Sequence, residues 1–213
     1  LTAINEYQDL GSGMRIAMRD LEIRGAGSLM GAEQHGNLSS VGFDLFSQML
    51  GEAVAEARGE AQDVEPSEVT INLPADFYLA QEYLPEVDER VLAYRRLASA
   101  TELASVDALQ RELEEEHGAL PLAGKNLFDR VRVRIRAERL GVTSVSLAGG
   151  RLVFQGISLT RQQAAMLKER RGIYQVKSKR LSYPLDVGRE ELLGVARDVL
   201  EEVGGADVPD EAA

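Results

Sequence analysis

Arg24 and Gln34, ten residues apart, are the side chains of this 213-residue chain best placed to do chemistry. Arg24 closes an apolar-periodic segment directly before Gly25-Ala26-Gly27, and Gln34 stands in Ala32-Glu33-Gln34-His35-Gly36. A guanidinium offers a planar fork of donors matched to phosphate or carboxylate, and glutamine both donates and accepts. The stretch around them, Leu10 to Phe43, holds seven glycines and three arginines. Glycine is costly in conformational entropy where the backbone does not need it, so this density marks a shaped surface. Two readings of Arg24 stay open on residues alone. It meets an anionic ligand, or it pairs with Glu22 or Glu33 and fixes the loop.

Other chemistries fail on spacing. A dinucleotide fingerprint needs a third glycine three residues after the second, but Gly25-Ala26-Gly27 places Met30 there and Gly11-Ser12-Gly13 places Ile16. A phosphate loop needs four residues between its glycines, then Lys and Ser or Thr. Gly118 and Gly124 have five between them, and Asn126 follows Lys125. His35 and His117 are the two histidines and lie far apart, without the spacing of a zinc site. Glu114, Glu115 and Glu116 are consecutive, so on a helix they fan outward as a solvated face rather than converging as an acid/base pair. No self-sufficient active site and no metal site is expected.

The elements that must position these residues follow from periodicity. Residues 14–23 fit a short helix that sets Arg15 and Arg19 on one face. Phe43, Phe46, Met49, Leu50, Ala53, Val54 and Ala57 keep helical spacing in a second. Residues 1–60 are thus expected to form a helical hairpin about the glycine-rich turn, with 61–67 an acidic linker. A further domain is expected over 68–203. Val69, Ile71 and Leu73 alternate as a strand, and an irregular stretch runs from Pro74 to Pro85. Asp88 is expected to cap a helix burying Val91, Leu92, Leu97 and Ala98, and Ser105 or Asp107 a second burying Val106, Leu109 and Leu113. An arginine-rich third runs from Leu122 to Leu140 and stops at Gly141. The period then falls to two, and Val145, Leu147, Gly149-Gly150 and Leu152-Val153-Phe154 spell a β-hairpin. Thr160 caps a helix, and strands are expected over 173–176 and 181–183. Leu192, Leu193, Ala196, Val199, Leu200 and Val203 line a last amphipathic helix. Residues 204–213 are expected to be a disordered acidic tail. The fold class is α+β, a helical hairpin followed by a compact mixed domain whose small antiparallel sheet packs on helices.

Charge is distributed in blocks. The net charge is −11, yet residues 122–180 carry fourteen basic residues against three acids, while 67–121 carry four against twelve and 181–213 two against nine. Overall acidity argues against a general nucleic-acid coat, and the central block is suited to phosphate or an acidic partner. The plainer use is intramolecular, with the block facing the acidic helix at Glu112–Glu116, or simply solvated. Without cysteine there is neither disulfide nor thiolate metal site, which agrees with a cytoplasmic location. No apolar run is long enough to span a membrane, and the opening Leu1-Thr2-Ala3 without Met reads as a piece cut from a longer protein.

The run LGSGMRIAMRDLEIRGAGSLMGAEQHG, then VGFDLFSQMLGEAV and VTINLPADFYLAQEYLPEVDERVLAYRRLASA, resembles the bacterial transcription-repair coupling factors. Its first part is similar to a translocation motif that RecG-type helicases also carry. The resemblance covers nearly the whole chain and implies the end of a superfamily-two motor followed by a C-terminal regulatory domain. It implies an ATP hydrolase that translocates on double-stranded DNA, displaces RNA polymerase stalled at lesions and recruits nucleotide excision repair through UvrA. ATP and Mg would serve the parent protein, with no cofactor held in this segment. In the motif, Arg24 and Gln34 couple ATP hydrolysis to stepping, with Arg19, Gly25, Gly27 and Glu33 beside them. The C-terminal domain is implied to dock on a repair-protein-like N-terminal region and to mask the UvrA-binding surface. Arg132, Arg134, Arg136 and Arg139 are the candidate docking face for that contact. The competing reading is a free-standing nucleic-acid-binding module that uses the 122–180 block, although few aromatics accompany it for stacking.

Overall fold

A computed structural model describes residues 69–205, which comprise five α-helices and a five-stranded mixed sheet, an α+β fold. The expected hairpin over 1–60, the linker and the tail beyond 205 lie outside the described residues. Backbone proximity divides the chain into two units. The described part of the first is 76–131 and of the second 69–75 with 132–205, so the division falls inside one helix.

The first unit holds α1 (Val87–Ala98), α2 (Leu103–His117) and the beginning of α3 (Leu122–Arg139). The stripe of α2 is the expected one: Val106, Leu109 and Leu113 are buried, and Gly118 ends the helix at φ 82. In α1 the buried stripe is instead Arg90, Ala93, Tyr94 and Leu97, while Leu92 is 56% exposed. Polar groups set that rotation. The Arg90 guanidinium donates to the carbonyls of Leu84 (2.5 Å) and Pro85 (2.8 Å), and the Tyr94 hydroxyl accepts from the Leu79 N–H at 2.8 Å. Both helices also begin earlier than expected. Glu86 and Glu102 occupy the N-cap positions without a side-chain cap bond, which leaves Asp88 in the first turn of α1. There it opposes the positive end of the helix dipole.

Residues 76–86 are irregular yet bury Phe77, Leu79 and Leu84 almost completely. Buried backbone polar groups must find partners, and the helices supply them. Asn126 donates its amide to the Asp76 carbonyl at 2.9 Å, and the Tyr78 N–H reaches the Ala123 carbonyl at 3.1 Å. The Arg130 guanidinium lies 4.7 Å over the Phe77 ring, a cation–π contact.

In the second unit the strands β1 (Thr70–Asn72), β2 (Ser144–Ala148), β3 (Arg151–Gln155), β4 (Ile173–Gln175) and β5 (Arg180–Pro184) lie in the order β1-β2-β3-β5-β4. The sheet is mixed rather than antiparallel throughout, because β1 runs parallel to β2. Parallel neighbours need a long crossover, and the chain between Asn72 and Ser144 includes three helices. Gly149 and Gly150 both take positive φ, 58° and 72°, between the paired residues Ala148 and Arg151. A tight hairpin turn of the primed type requires this handedness. Gly141, at φ 68, ends α3 where expected.

Register separates two faces. Ile71, Val145, Phe154, Leu181 and Tyr174 align on one, joined by Leu147, Leu152 and Tyr183. The other carries Thr70, Asn72, Ser144, Ser146, Arg151, Gln155, Arg180 and Ser182, with Val153, 3% exposed, among them. The first face is apolar and the second mainly polar, the alternation of a sheet whose core lies chiefly on one side. The unit also has α4 (Arg161–Glu169) and α5 (Leu192–Gly205), the latter burying all six of its expected apolar residues. Thr160 and Gln163 form a reciprocal capping box at α4. Gln163, 2% exposed, also donates to the Val203 carbonyl at 3.0 Å and so ties the start of α4 to the last turn of α5.

Replacing Tyr94 by Phe removes only the hydroxyl and leaves the buried Leu79 N–H without that acceptor. The expected loss is about 1–3 kcal/mol, read as a lower urea midpoint at unchanged m-value.

Candidate functional site

Two polar surfaces stand out, one in each unit. In the first unit, Ala108, Arg111, Glu112, Glu115 and Glu116 line a shallow acidic ledge along α2, of about 490 Å³. Glu112 meets Arg96 of α1 at 2.8 Å, both side chains being exposed, and Gln110 donates to Glu114 at 3.1 Å. The carboxylates fan out as the sequence indicates and do not converge. The hydrogen bond from Arg96 holds the Glu112 carboxyl below the usual glutamate range, and the same bond raises the Arg96 guanidinium.

The end of α2 is organised by Tyr83, a residue the sequence reading did not single out. Its hydroxyl lies 3.1 Å from the Leu113 carbonyl and 2.9 Å from that of Gly118. Burial first, then the Glu114 charge, raise the hydroxyl above the usual tyrosine value and keep it a donor. His117 packs edge-on against the Tyr83 ring, with centroids 5.9 Å apart. A tyrosine 30 residues from its acceptor leaves no local sequence signal.

In the second unit a groove of about 590 Å³ has an apolar lining of Tyr183, Pro184, Val187, Val195 and Val199 and a rim of four carboxylates. Each carboxylate is met by an arginine. Glu202 pairs with Arg170 (2.9 Å), Glu201 with Arg136 (3.0 Å), Asp198 with Arg197 (2.7 Å) and Asp186 with Arg171. The central basic block is therefore met, at Arg136, Arg170 and Arg171, by acids that follow it in the chain. A carboxylate held in such a pair is a poor general base, and the rim offers balanced charge rather than a reactive group. Among the described residues no set of His, Cys, Asp and Glu is arranged to hold a metal ion. Among them, too, no helix is long and apolar enough to cross a membrane.

Of the expected site residues, Arg19, Arg24, Gly25, Gly27, Glu33 and Gln34 lie outside the described residues. Arg132, Arg134, Arg136 and Arg139 all lie on α3. Positions 132, 136 and 139 share a side of the helix by spacing and 134 does not. The first three named are half-buried, Arg139 is exposed, and all four engage neighbours, Arg136 through Glu201.

The described residues thus form an α+β domain with ion-paired surfaces. Comparison with known proteins gives its relations. Residues 73–167 match the TRCF domain family, so this stretch of the chain is a TRCF domain. It is similar to the transcription-repair-coupling factor of Bacillus subtilis (strain 168), 40% identical over 139 residues. The protein of that name from Staphylococcus aureus (strain USA300) is 40% identical over 150 residues. These matches cover 65% and 70% of this chain but only 12% and 13% of the relatives' length. Among solved structures, the C-terminal domain of a transcription-repair coupling factor shares the fold, with a TM-score of 0.52 and 16% identity. That likeness covers 65% of this chain and 95% of the other.

Because the folded Glu112 pKa is depressed, its pairing contributes at neutral pH and is lost as pH falls through the folded value. A carboxyl NMR titration should place Glu112 below an ordinary glutamate. Arg96→Gln should return it to the normal range, and an unchanged midpoint would refute the pairing.

Proposed function

We propose that this chain is the C-terminal part of an ATP-dependent double-stranded-DNA translocase, a cytoplasmic protein that displaces RNA polymerase stalled at lesions and recruits nucleotide excision repair. The observation that carries this reading is the TRCF domain over residues 73–167. The fold likeness to a coupling factor's C-terminal domain supports it. ATP and Mg belong to the parent's motor, and this segment contributes coupling and regulation. In the hairpin over 1–60, Arg24 and Gln34, with Arg19, Gly25, Gly27 and Glu33 around them, transmit ATP hydrolysis into steps along DNA.

The domain over 68–203 acts as a clamp. It docks on the parent's repair-protein-like N-terminal region and masks the UvrA-binding surface until the motor engages. Arg132, Arg134, Arg136 and Arg139 contribute to that docking, with Arg139 the most open of the four. The rival reading, nucleic-acid binding through the 122–180 block, is weakened by the carboxylates already paired to Arg136, Arg170 and Arg171. Phosphate binding would have to displace those partners before releasing counterions.

The test uses the full-length protein. Arg24→Ala should keep nucleotide binding and lose polymerase displacement, and equal displacement by mutant and wild type would sink the coupling role. Deleting 68–203 should raise UvrA capture in a pull-down by about tenfold or more, as removal of a typical allosteric coupling would. Unchanged capture would count against the clamp.

A further inference from the structure

Strand β4 ends the sheet, with β5 on its inner side and no described strand on its outer side. Edge strands present unpaired backbone donors and acceptors, and proteins commonly blunt them with charge. Here the charge is present, but large aliphatic groups are exposed beside it. Ile173 is 54% exposed and Val176, just past the strand, is 73% exposed. Blunting alone would call for neither. From residue 161 to 185 the chain carries seven basic residues and a single acid, Glu169. Lys168, Arg170 and Arg171 precede the strand, and Lys177 and Lys179 follow it, all exposed.

The edge is also held in place before any partner arrives. The Gly172 N–H donates to the Leu167 carbonyl at 2.8 Å, and a Cβ at position 172 would lie 2.7 Å from that oxygen, so only glycine fits the turn. Arg171 takes the left-handed conformation at φ 63, and its carbonyl accepts from the Arg151 guanidinium at 2.8 Å. Arg151 also reaches the Ser182 carbonyl at 3.0 Å, spanning from β3 to β5. Tyr174 is fastened beneath the sheet, its hydroxyl donating to the Ile157 carbonyl (3.2 Å) and accepting from the Leu159 N–H (3.1 Å). With Tyr174 held on the core face, Ile173 projects from the other. A preformed edge of this kind reduces the ordering cost of association.

We propose that the β4 edge is a docking strip for an extended acidic peptide of a partner protein, which adds as a sixth strand. Main-chain bonds to β4 would hold the peptide. Its apolar side chains would cover Ile173 and Val176, and its carboxylates would meet Lys177 and Lys179 beyond the end of the strand. Peptide is favoured over nucleic acid by the exposed aliphatics, by the free edge and by the pairing of Arg170 and Arg171 to Glu202 and Asp186. This surface does not depend on the translocase reading.

The test titrates the isotope-labelled full chain with an eight-residue peptide of alternating glutamate and valine, blocked at both termini. NMR shifts confined to residues 171–180, with new hydrogen-exchange protection at alternate β4 amides, are expected. By fluorescence anisotropy, Lys177→Glu with Lys179→Glu should weaken binding at least tenfold, as should Ile173→Asp. If Ile173→Asp does not fold, the surface lysine pair decides. Shifts elsewhere, or variants that bind as well as wild type, overturn the proposal. So does a 20-base-pair DNA duplex moving the same resonances at lower concentration than the peptide. A concentration-dependent dimer that protects β4 without peptide would overturn it in favour of a second copy of the chain.

Discussion

A buried backbone group must be hydrogen-bonded, and in the first unit this constraint falls on a segment that satisfies itself only in part. Residues 76–86 form neither helix nor strand yet bury Phe77, Leu79 and Leu84, and within the segment only the Tyr83 and Leu84 N–H groups close a turn, on the Ala80 carbonyl. Side chains of the surrounding helices answer other groups of the segment: Tyr94 for Leu79, Asn126 for Asp76, and Arg90 for Leu84 and Pro85. The orientation of α1 follows. Its buried stripe is the one that turns Arg90 and Tyr94 inward, at the cost of leaving Leu92 in water. A full leucine burial contributes about 1.5–3 kcal/mol, whereas several orphaned polar groups at about 1–3 kcal/mol each would cost more. Hydrogen bonding decides the rotation.

The second unit solves the same problem chiefly with strand ladders. Its strands pair along regular registers, and the primed turn at Gly149-Gly150 fixes which residues face the core. A slip of one residue would send Val145, Leu152 and Phe154 to the polar face. Where helices end, orphan groups remain. Gln163 meets two of these needs at once, capping α4 and donating to the last turn of α5.

Charge in this unit works by proximity rather than by local sequence. Arg136, Arg170 and Arg171 of the central block find Glu201, Glu202 and Asp186, which come later in the chain. Exposed pairs of this kind are individually weak. Their consequence is local, a balance of charge along the rim of the groove.

Much of the architecture was legible in the residues alone. The stripes of α2 and α5, the Thr160 cap, the stop at Gly141 and the Gly149-Gly150 hairpin are local in cause: periodicity, capping chemistry and left-handed backbone need only neighbours in sequence. The resemblance to the coupling factors was likewise carried by a contiguous run of residues. Only the tertiary structure could decide the rotation of α1, the parallel pairing of β1 with β2, the role of Tyr83 and the partners of the arginines. Apart from the Arg90 bonds five and six residues back, these features join residues 15 to 74 positions apart, and at that separation the partner is chosen by which chain segments pack together. Sequence determined which groups would need partners, and packing determined which ones they found.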